Sequence, residues 1–265
     1  MSYHWPRMPS FFARPAGRPV VATLLATALF GAASPALAQD ASPAPATPVR
    51  EQISADLKQD RLDVKGVIGD SLRLLLIEHG LRITFSEKTR RELTGPFWHD
   101  YVESVRVPGQ WNDGDGWFVN YVGHPIHGAA AGFIFIHNDP KSRREAFGLS
   151  QRYWSTRWRP VAFAALYSLQ FEIGPISEAS IGNVGMNPRT TGWVDYVLTP
   201  VGAMGILVAE DALDRYFVKW VEERTYNQFI RGSLRLLCGP SQMMSNIAMG
   251  RLPWHRDTRS IRQRY

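Results

Sequence analysis

The apolar and charged residues divide the chain into long apolar segments joined by polar loops. In Gly66–Phe85 the apolar residues recur at helical spacing, and Glu78 and Arg82 stand four positions apart, as in an ion pair along one helix. This segment predicts an amphipathic helix and not a membrane span. Three more strongly apolar segments follow, at Gly116–Ile136, Val161–Ile176 and Trp193–Ala209.

The sequence contains no convincing strand alternation and no internal repeat, so it predicts an all-α protein. We expect a bundle of about six to eight helices, three of them apolar enough to be embedded in a membrane. The first of these, Gly116–Ile136, contains no Asp, Glu, Lys or Arg. It is long enough to cross a bilayer, which takes roughly 20 apolar residues.

The N-terminus has the arrangement of a secretory signal peptide. Arg7, Arg14 and Arg18 precede an apolar stretch that ends in Ala36–Ala38, a small-residue cleavage site. An uncleaved anchor is the alternative, which the short apolar stretch disfavours. We therefore predict export to the periplasm or an envelope membrane. The predicted units are a signal peptide at 1–38, a disordered linker at 39–52, a helical domain with a polar centre at 53–226, and a basic helical C-terminal segment at 227–265.

Removal of the predicted signal peptide leaves 27 Lys and Arg against 24 Asp and Glu. This nearly balanced charge gives little support to a polyanionic partner. In the C-terminal segment, however, seven arginines oppose only Asp257, with Trp254 and Tyr265 between them. Such a segment is either a solvated terminus or a surface for anionic lipid. We expect membrane lipid as a partner and no nucleic acid, and the sequence names no protein partner.

Three ionisable residues stand inside the apolar segments: His124 beside Pro125, Glu172, and Asp195. A buried charge without a partner is costly, so we predict that these three side chains converge in space. They are the hypothetical catalytic residues. His137, at the end of its segment, is expected to matter less. Their neighbours at helical spacing are the binding or structural candidates Asn120, His127, Gly128, Ser168, Thr199 and Gly202.

This convergence has three interpretations. It is a satisfied polar network that fixes helix register, or an enzyme in which His124 is a general base for ester or phosphoester cleavage, or a metal site. In the metal site, His124 and His127 would join Glu172 or Asp195 as zinc ligands, although their spacing is not the usual helical motif. The sequence requires no cofactor, and a divalent metal is compatible with it. Candidate nucleophiles are Ser168, Ser177, Ser180 and a metal-bound water.

Two other kinds of site find less support. The loop Asn112–Gly116 offers oxygen ligands for calcium, but it lacks the EF-hand spacing. Cys238 is the sole cysteine, which excludes an intramolecular disulfide and a thiolate metal cluster.

In chain order, the motifs are Asn120, His124-Pro125-x-x-Gly128, Glu172, Ser177-Glu178, Asp195, Thr199-Pro200-x-Gly202 and Glu210. This succession resembles the bacterial family catalogued as domain of unknown function 3943, over roughly Trp111 to Arg215. The chain departs from the family pattern in its Thr-Pro spacing, and Ala209 replaces the glycine before Glu210. The resemblance adds Glu178 and Glu210 as binding or structural candidates. It implies an exported helical envelope protein, and a looser similarity to VanZ-like helical membrane proteins adds a membrane bias.

We therefore expect an exported, membrane-associated envelope protein of binding or structural role. Its buried His/Glu/Asp network would accept a lipid or another amphiphile. The alternative is a hydrolase, with or without a metal, that acts on esters or phosphoesters of lipid or cell-wall material. A nucleophile in an activating context would favour the hydrolase.

Overall fold

The computed structural model describes residues 61–94, 96, 98, 101–102, 111–113, 115–178 and 192–262. Within these residues the regular elements are helices and no β-strand occurs, which confirms the all-α prediction. The predicted signal peptide, the linker and Ser180 lie outside the described residues. The main elements are α1 (Val64–Phe85), α2 (Glu87–Glu92), π1 (Val119–Gly123), α3 (His124–Asn138), α4 (Pro140–Arg143), α5 (Gln151–Ile173), α6 (Trp193–Leu213), π2 (Asp214–Val218), α7 (Lys219–Glu222), α8 (Gln228–Leu237) and α9 (Pro240–Ala248).

Helix α3 is the centre of the bundle and contacts α1, α5, α6 and α9. Two apolar clusters lie on its two sides. Ala130 and Ile134 pack in one of them, while Ala129 and Phe133 pack in the other. A helix buried all round must be apolar all round, which explains why the sequence of α3 carries no Asp, Glu, Lys or Arg.

Small residues bring α3 and α6 into close contact. A Cβ atom added to Gly128 would lie 2.7 Å from the backbone oxygen of Thr199, and one added to Gly202 would lie 2.5 Å from Cγ of Pro125. Gly132 faces Leu207 in the same way, at 3.0 Å. The contacts advance in the same direction along both helices, so α3 and α6 run parallel.

Among the residues that the structure describes, one helical run, Trp193–Glu222, has the length and apolar composition of a membrane-crossing helix. The prediction of three such helices is therefore wrong. Helix α3 is a buried core helix, and α5 begins with a stretch that contains Arg152, Arg157 and Arg159.

Helices α1 and α6 expose much of their apolar surface. The predicted helix α1 is confirmed, but Ile68 and Leu76 are more than half exposed, while Asp70 and His79 are buried. On α6 the exposed large apolar residues follow one stripe, which continues beyond its end: Trp193, Val197, Val201, Leu213 and Phe217. The polar residues of α6 face the protein instead: Asp195, Thr199 and Glu210 are buried. Both helices thus bury polar groups beside their core residues and expose large apolar residues to the outside.

The C-terminal segment packs onto the preceding helices. The expectation of a solvated or lipid-binding stretch of arginines is therefore wrong for Arg231, Arg235 and Arg259. Arg231 and Arg235 are 1% exposed. Arg235 binds the buried carboxylate of Glu222, which also accepts a 2.9 Å hydrogen bond from Nε of Arg259. Two Arg259 nitrogens bind Asp214, each at 2.8 Å. Acidic residues outside the segment therefore supply the partners that the local sequence lacks.

Gly128→Ala should destabilise the protein by about 1–3 kcal/mol, because its methyl group would overlap the backbone of α6. Gly205→Ala on α6 is the matched control, since nothing lies within 4 Å of its added Cβ. It should be neutral or stabilising by up to about 1 kcal/mol, the usual gain of Ala over Gly in a helix. Chemical denaturation followed by circular dichroism measures both. Equal stabilities of the two variants would contradict the close packing of α3 against α6.

Candidate functional site

The three predicted residues converge at one end of the α3–α6 contact, as expected from the sequence. Nδ1 of His124 lies 3.9 Å from Oε1 of Glu172, and Nε2 lies 3.4 Å from Oδ1 of Asp195. One ligand atom from each of the three residues falls within 4.8 Å of the other two. All three side chains are about 95% buried. The imidazole thus stands between two carboxyl groups that come from two other helices.

The local sequence explains how His124 reaches this position. It is the first residue of α3 and follows the π-helical turn π1. Pro125 stands in the first turn of α3, directly after π1, and it has no N–H to donate to the carbonyl groups of that preceding turn. The π turn contains one residue more than an α turn, a feature found at functional sites. The chain therefore changes helix type at His124 without a break in the helix.

Several buried polar atoms at this centre have no hydrogen-bond partner among the described residues. They include His124 Nδ1 and Glu172 Oε1, which face each other, and Asp195 Oδ1, which faces the other nitrogen of the imidazole. Unpaired buried polar atoms cost about 1–3 kcal/mol each, so their clustering requires an explanation. Further unpaired atoms belong to Asn120, His127, Ser168 and Thr199.

Asp113 forms a second layer behind Asp195. The two carboxyl groups share a hydrogen bond. Oδ1 of Asp113 also accepts a 2.6 Å bond from Nδ2 of Asn120 and a 3.0 Å bond from the backbone N–H of Asp115. These bonds position Asp195 and occupy one Asn120 nitrogen and one Asp113 oxygen. The oxygen-rich loop that suggested calcium therefore supports Asp195.

Helix α1 closes the other side of the centre with Glu78 and Arg82. Oε1 of Glu78 lies 2.9 Å from Nδ1 of His127, and Oε2 accepts a 2.9 Å bond from the hydroxyl of Tyr167. Arg82 binds Asp115, at 3.3 Å, and Glu178. The sequence predicts an ion pair between Glu78 and Arg82 along one helix, but each side chain instead binds residues of other elements and faces the centre.

Burial sets the protonation of the three central groups. It lowers the pKa of His124 to about 3, helped by the nearby charges of His127 and Arg82. It raises the pKa of Glu172 to about 7. It also raises the pKa of Asp195 to about 9, and the adjacent Glu172 carboxylate adds to this shift. At neutral pH the imidazole is therefore neutral, and Asp195 holds a proton.

The charges of the surrounding groups favour a cation. Counting only described residues, six carboxyl groups gather around His124 and His127, against the guanidinium of Arg82. Once Glu172 and Asp195 have lost their protons, their oxygens and the neutral imidazole nitrogen form a donor set suited to a divalent transition metal. The separation of 3.4 Å between His124 Nε2 and Asp195 Oδ1 is close to the ~3.3 Å between ligands on a tetrahedral zinc with ~2.0 Å bonds. The six carboxyl groups belong to Glu78, Asp113, Asp115, Glu172, Glu178 and Asp195.

The other predicted candidates divide into two groups. His127 lies beside the centre, its ring 4.4 Å from that of Phe171, and Gly128 and Gly202 hold α3 against α6. Glu210 lies elsewhere, because its carboxylate accepts bonds from the backbone N–H groups of Ser241 and Gln242 and so caps α9. Asn120, Ser168, Glu178 and Thr199 are all buried around the centre.

His137 lies near the opposite end of α3. It is as buried as His124, and its Nδ1 lies 2.7 Å from Oδ2 of Asp257. His137 is therefore a buried, bonded residue, and the expectation that it matters less than His124 stays a prediction.

Sequence reasoning missed Glu78, His79, Arg82 and Asp113. His79 stacks on Phe171, and its Nε2 lies 3.3 Å from the carbonyl oxygen of Ile176. Burial lowers the pKa of His79. The spacing of Glu78, His79 and Arg82 on one helix was the available signal, but it fits an exposed polar surface equally well. Only the exposure of the apolar residues of α1 reveals that these residues face inward.

Comparison with family models, with curated proteins and with solved structures finds no match for this chain. The resemblance to the domain of unknown function therefore stays a prediction, and function has to be argued from the geometry of the site.

Asp195→Asn should change how stability depends on pH in chelator-treated protein. The unfolded carboxyl ionises near 4, whereas burial raises the folded pKa of Asp195 to about 9, so the folded state binds more protons between these values. The free energy of unfolding of the wild type should consequently fall as pH rises through this range. His124 acts in the opposite direction, but only below its unfolded pKa of about 6.5.

The effect of Asp195 is therefore clearest from pH 7 to 9. Across this range the wild type should lose at least about 1 kcal/mol more stability than Asp195→Asn, since one pKa unit corresponds to about 1.4 kcal/mol. Urea denaturation at a series of pH values measures the difference. Glu223→Gln, at an exposed position, should keep the wild-type slope. Parallel pH profiles for wild type and Asp195→Asn would contradict a protonated, buried Asp195.

Proposed function

We propose that this chain is a membrane-associated helical protein that binds a divalent transition-metal ion at its centre. The ligands are the imidazole of His124 and the carboxylates of Glu172 and Asp195. A single observation carries the proposal: three buried side chains each offer one ligand atom within 4.8 Å of the other two, and each also has a buried polar atom without a hydrogen-bond partner among the described residues. A satisfied polar network, the main alternative, would not leave these atoms without partners.

The donor set indicates the class of metal. Calcium and magnesium prefer all-oxygen sites, whereas an imidazole with carboxylates suits zinc, manganese or iron(II). Zinc is the reference metal for the test because its tetrahedral geometry fits the observed spacing of His124 and Asp195. Metal binding would require Glu172 and Asp195 to lose their protons, so the affinity should rise with pH.

Lipid contact is supported by the large apolar residues that α1 and α6 expose. Soluble proteins rarely expose large contiguous apolar patches. Here Ile68, Leu76 and Phe85 on α1 and Trp193 and Val201 on α6 are each at least half exposed. Buried polar groups beneath an apolar exterior are typical of helical proteins in contact with lipid. Export to the envelope, expected from residues 1–38, is part of the same proposal.

Metal-assisted hydrolysis is the second candidate, and the number of ligands favours it. Three protein ligands leave one position of a tetrahedral ion for water, the arrangement of catalytic zinc sites. The bound metal would lower the pKa of that water and so supply the nucleophile that Ser168 and Ser177 do not provide in a recognisable context. Asp113, hydrogen-bonded to Asp195, would hold that ligand in position.

Zinc binding is tested by calorimetry on chelator-treated protein and by metal analysis after dialysis. The wild type should hold about one zinc ion per chain, with affinity that increases from pH 6 to pH 8. His124→Ala, Glu172→Gln and Asp195→Asn should each weaken binding at least about tenfold, as expected for loss of one ligand. Cobalt substitution should give the absorption bands of a tetrahedral ion in the wild type only.

Glu223→Gln again serves as the matched control, since it removes an exposed carboxylate far from this centre in the fold and should leave zinc affinity unchanged. Folded wild-type protein that binds no zinc below about 100 μM would overturn the proposal and favour a purely structural network. A zinc-loaded protein that binds the metal but cleaves neither a chromogenic ester nor a phosphodiester would remove the hydrolase candidate alone.

Membrane association is tested by flotation with liposomes, followed by a carbonate wash. We expect wild-type protein to float with the lipid, because the exposed stripe of α6 would otherwise face water. A Val197→Ser/Val201→Ser double variant should release it, while Val102→Ser/Leu149→Ser, at exposed positions outside that stripe, should not. Monodisperse wild-type protein that stays out of the lipid fraction would contradict this part of the proposal.

A further inference from the structure

A second site lies at the opposite end of α3. A pocket of about 530 Å³ opens between the C-terminal turns of α3, the loop after α4, the π2 turn and the residues around Arg256. Its size is within the range of small-molecule sites. His137 lines it and stands 13 residues after His124, or roughly 20 Å along the helix axis. The pocket is therefore separate from the His124 centre.

The pocket is basic. Seven Arg and Lys residues line it against four Asp and Glu residues, an excess of three positive charges. The deeper arginines serve the fold: Nε of Arg157 donates to Asp211 at 2.7 Å, and Arg256 donates to Asp214 at 3.0 Å. These arginines already have carboxylate partners, so they form a fixed wall of the pocket and are not available to a ligand.

The cations at the rim are available to a ligand. Arg143 is exposed and makes no hydrogen bond or ion pair with a described residue. Lys219 has only a 4.0 Å approach to Glu223, and both side chains are more than 40% exposed. Arg215, also exposed, donates to the carbonyl oxygen of Phe147 and so fixes the loop between these two cations. Exposed cations held around one pocket attract and orient an anionic group.

One side of the same pocket is apolar. Phe133 and Ile136 of α3 line it from the core, and Phe147 lines it from the loop. The ring of Phe147 is fixed edge-to-face against Tyr153 and Tyr216, with centroids 5.2 and 5.7 Å away. A small inorganic anion would leave this apolar wall uncovered. The combination suits a ligand with a charged head and an apolar part.

We propose that this pocket binds an amphiphile with a phosphate headgroup. Arg143, Lys219 and Arg215 hold the phosphate oxygens at the rim, and the apolar part of the ligand contacts Phe147 and the end of α3. Guanidinium groups suit phosphate because their parallel N–H donors match its oxygens.

The surroundings of the pocket fit a ligand drawn from a membrane. Tyr216, Phe217 and Trp220 are exposed beside the pocket residues Arg215 and Lys219. Aromatic and basic residues together are typical of positions near lipid headgroups. The proposal does not depend on the metal at His124, and the assay below uses dissolved ligands, so it can succeed or fail independently of metal binding and of flotation.

The test is calorimetric titration of the full chain with three probes: inorganic phosphate, glycerol 3-phosphate and dihexanoyl phosphatidic acid below its micelle concentration. Dihexanoyl phosphatidylcholine is the comparison probe with a zwitterionic head. Phosphatidic acid should bind at least about tenfold more tightly than either small phosphate, because only it covers the apolar wall. Its affinity should fall as salt is added, since the headgroup is held by charges.

Arg143→Gln/Lys219→Gln should weaken phosphatidic acid binding at least about tenfold. Lys65→Gln/Lys141→Gln is the matched control, because it removes the same charge at two exposed positions outside the pocket, one of them on α4 beside Arg143. Circular dichroism and thermal unfolding should be the same for both double variants, since none of the four side chains is buried.

Equal affinity for phosphate and phosphatidic acid, both lost in the pocket variant, would identify a phosphate site and overturn the amphiphile. Binding of phosphatidylcholine as tightly as phosphatidic acid, or equal binding by both double variants, would overturn the role of the rim cations. No binding of any probe at millimolar concentration would overturn the site altogether.

Discussion

The contact between Gly128 and the backbone of Thr199 is the constraint on which the remaining arrangement depends. It fixes the separation of two parallel helices and also their register. Thr199 follows Gly128 by 71 positions, and Asp195 follows His124 by the same 71 positions (199 minus 128 and 195 minus 124). One helical turn before the close contact, therefore, the imidazole and the carboxyl group must face each other. A bulkier residue at Gly128 would separate the backbones and, with them, the two functional groups.

The meeting of His124 with both acids was predictable on one ground, since an ionisable group in an otherwise uncharged segment needs a buried partner. The repeated separation of 71 positions gains meaning only from the contact between Gly128 and Thr199. The orientation of α1 could not be predicted in the same way. Its residues alternate between apolar and polar at helical spacing, and that pattern does not state which side faces the protein. Glu78 and Arg82 consequently looked like surface residues.

Long-range pairing is the other limit on what the sequence could reveal. The arginines of the C-terminal segment seemed unbalanced because their local neighbours contain almost no acid. Their partners, Asp214 and Glu222, stand before the segment, at positions that looked like the ordinary end of an apolar helix. Glu210 illustrates the same difficulty, because a residue that fits a motif in chain order caps a helix remote from the centre. The composition of a short stretch of sequence cannot identify an ion-pair partner that lies outside that stretch.

The walls of the basic pocket have a consequence for how the protein matures. They come from distant parts of the chain: the end of α3, the loop after α4, the π2 turn and Arg256–Arg259. During synthesis, all residues of the His124 centre are present once α6 has been made. The pocket lacks one wall until Arg256–Arg259 have been synthesised and Arg259 has bound Asp214 and Glu222. A nascent chain would thus complete the His124 centre before the pocket, and any ligand of the finished pocket would stabilise only chains in which the C-terminal segment has folded.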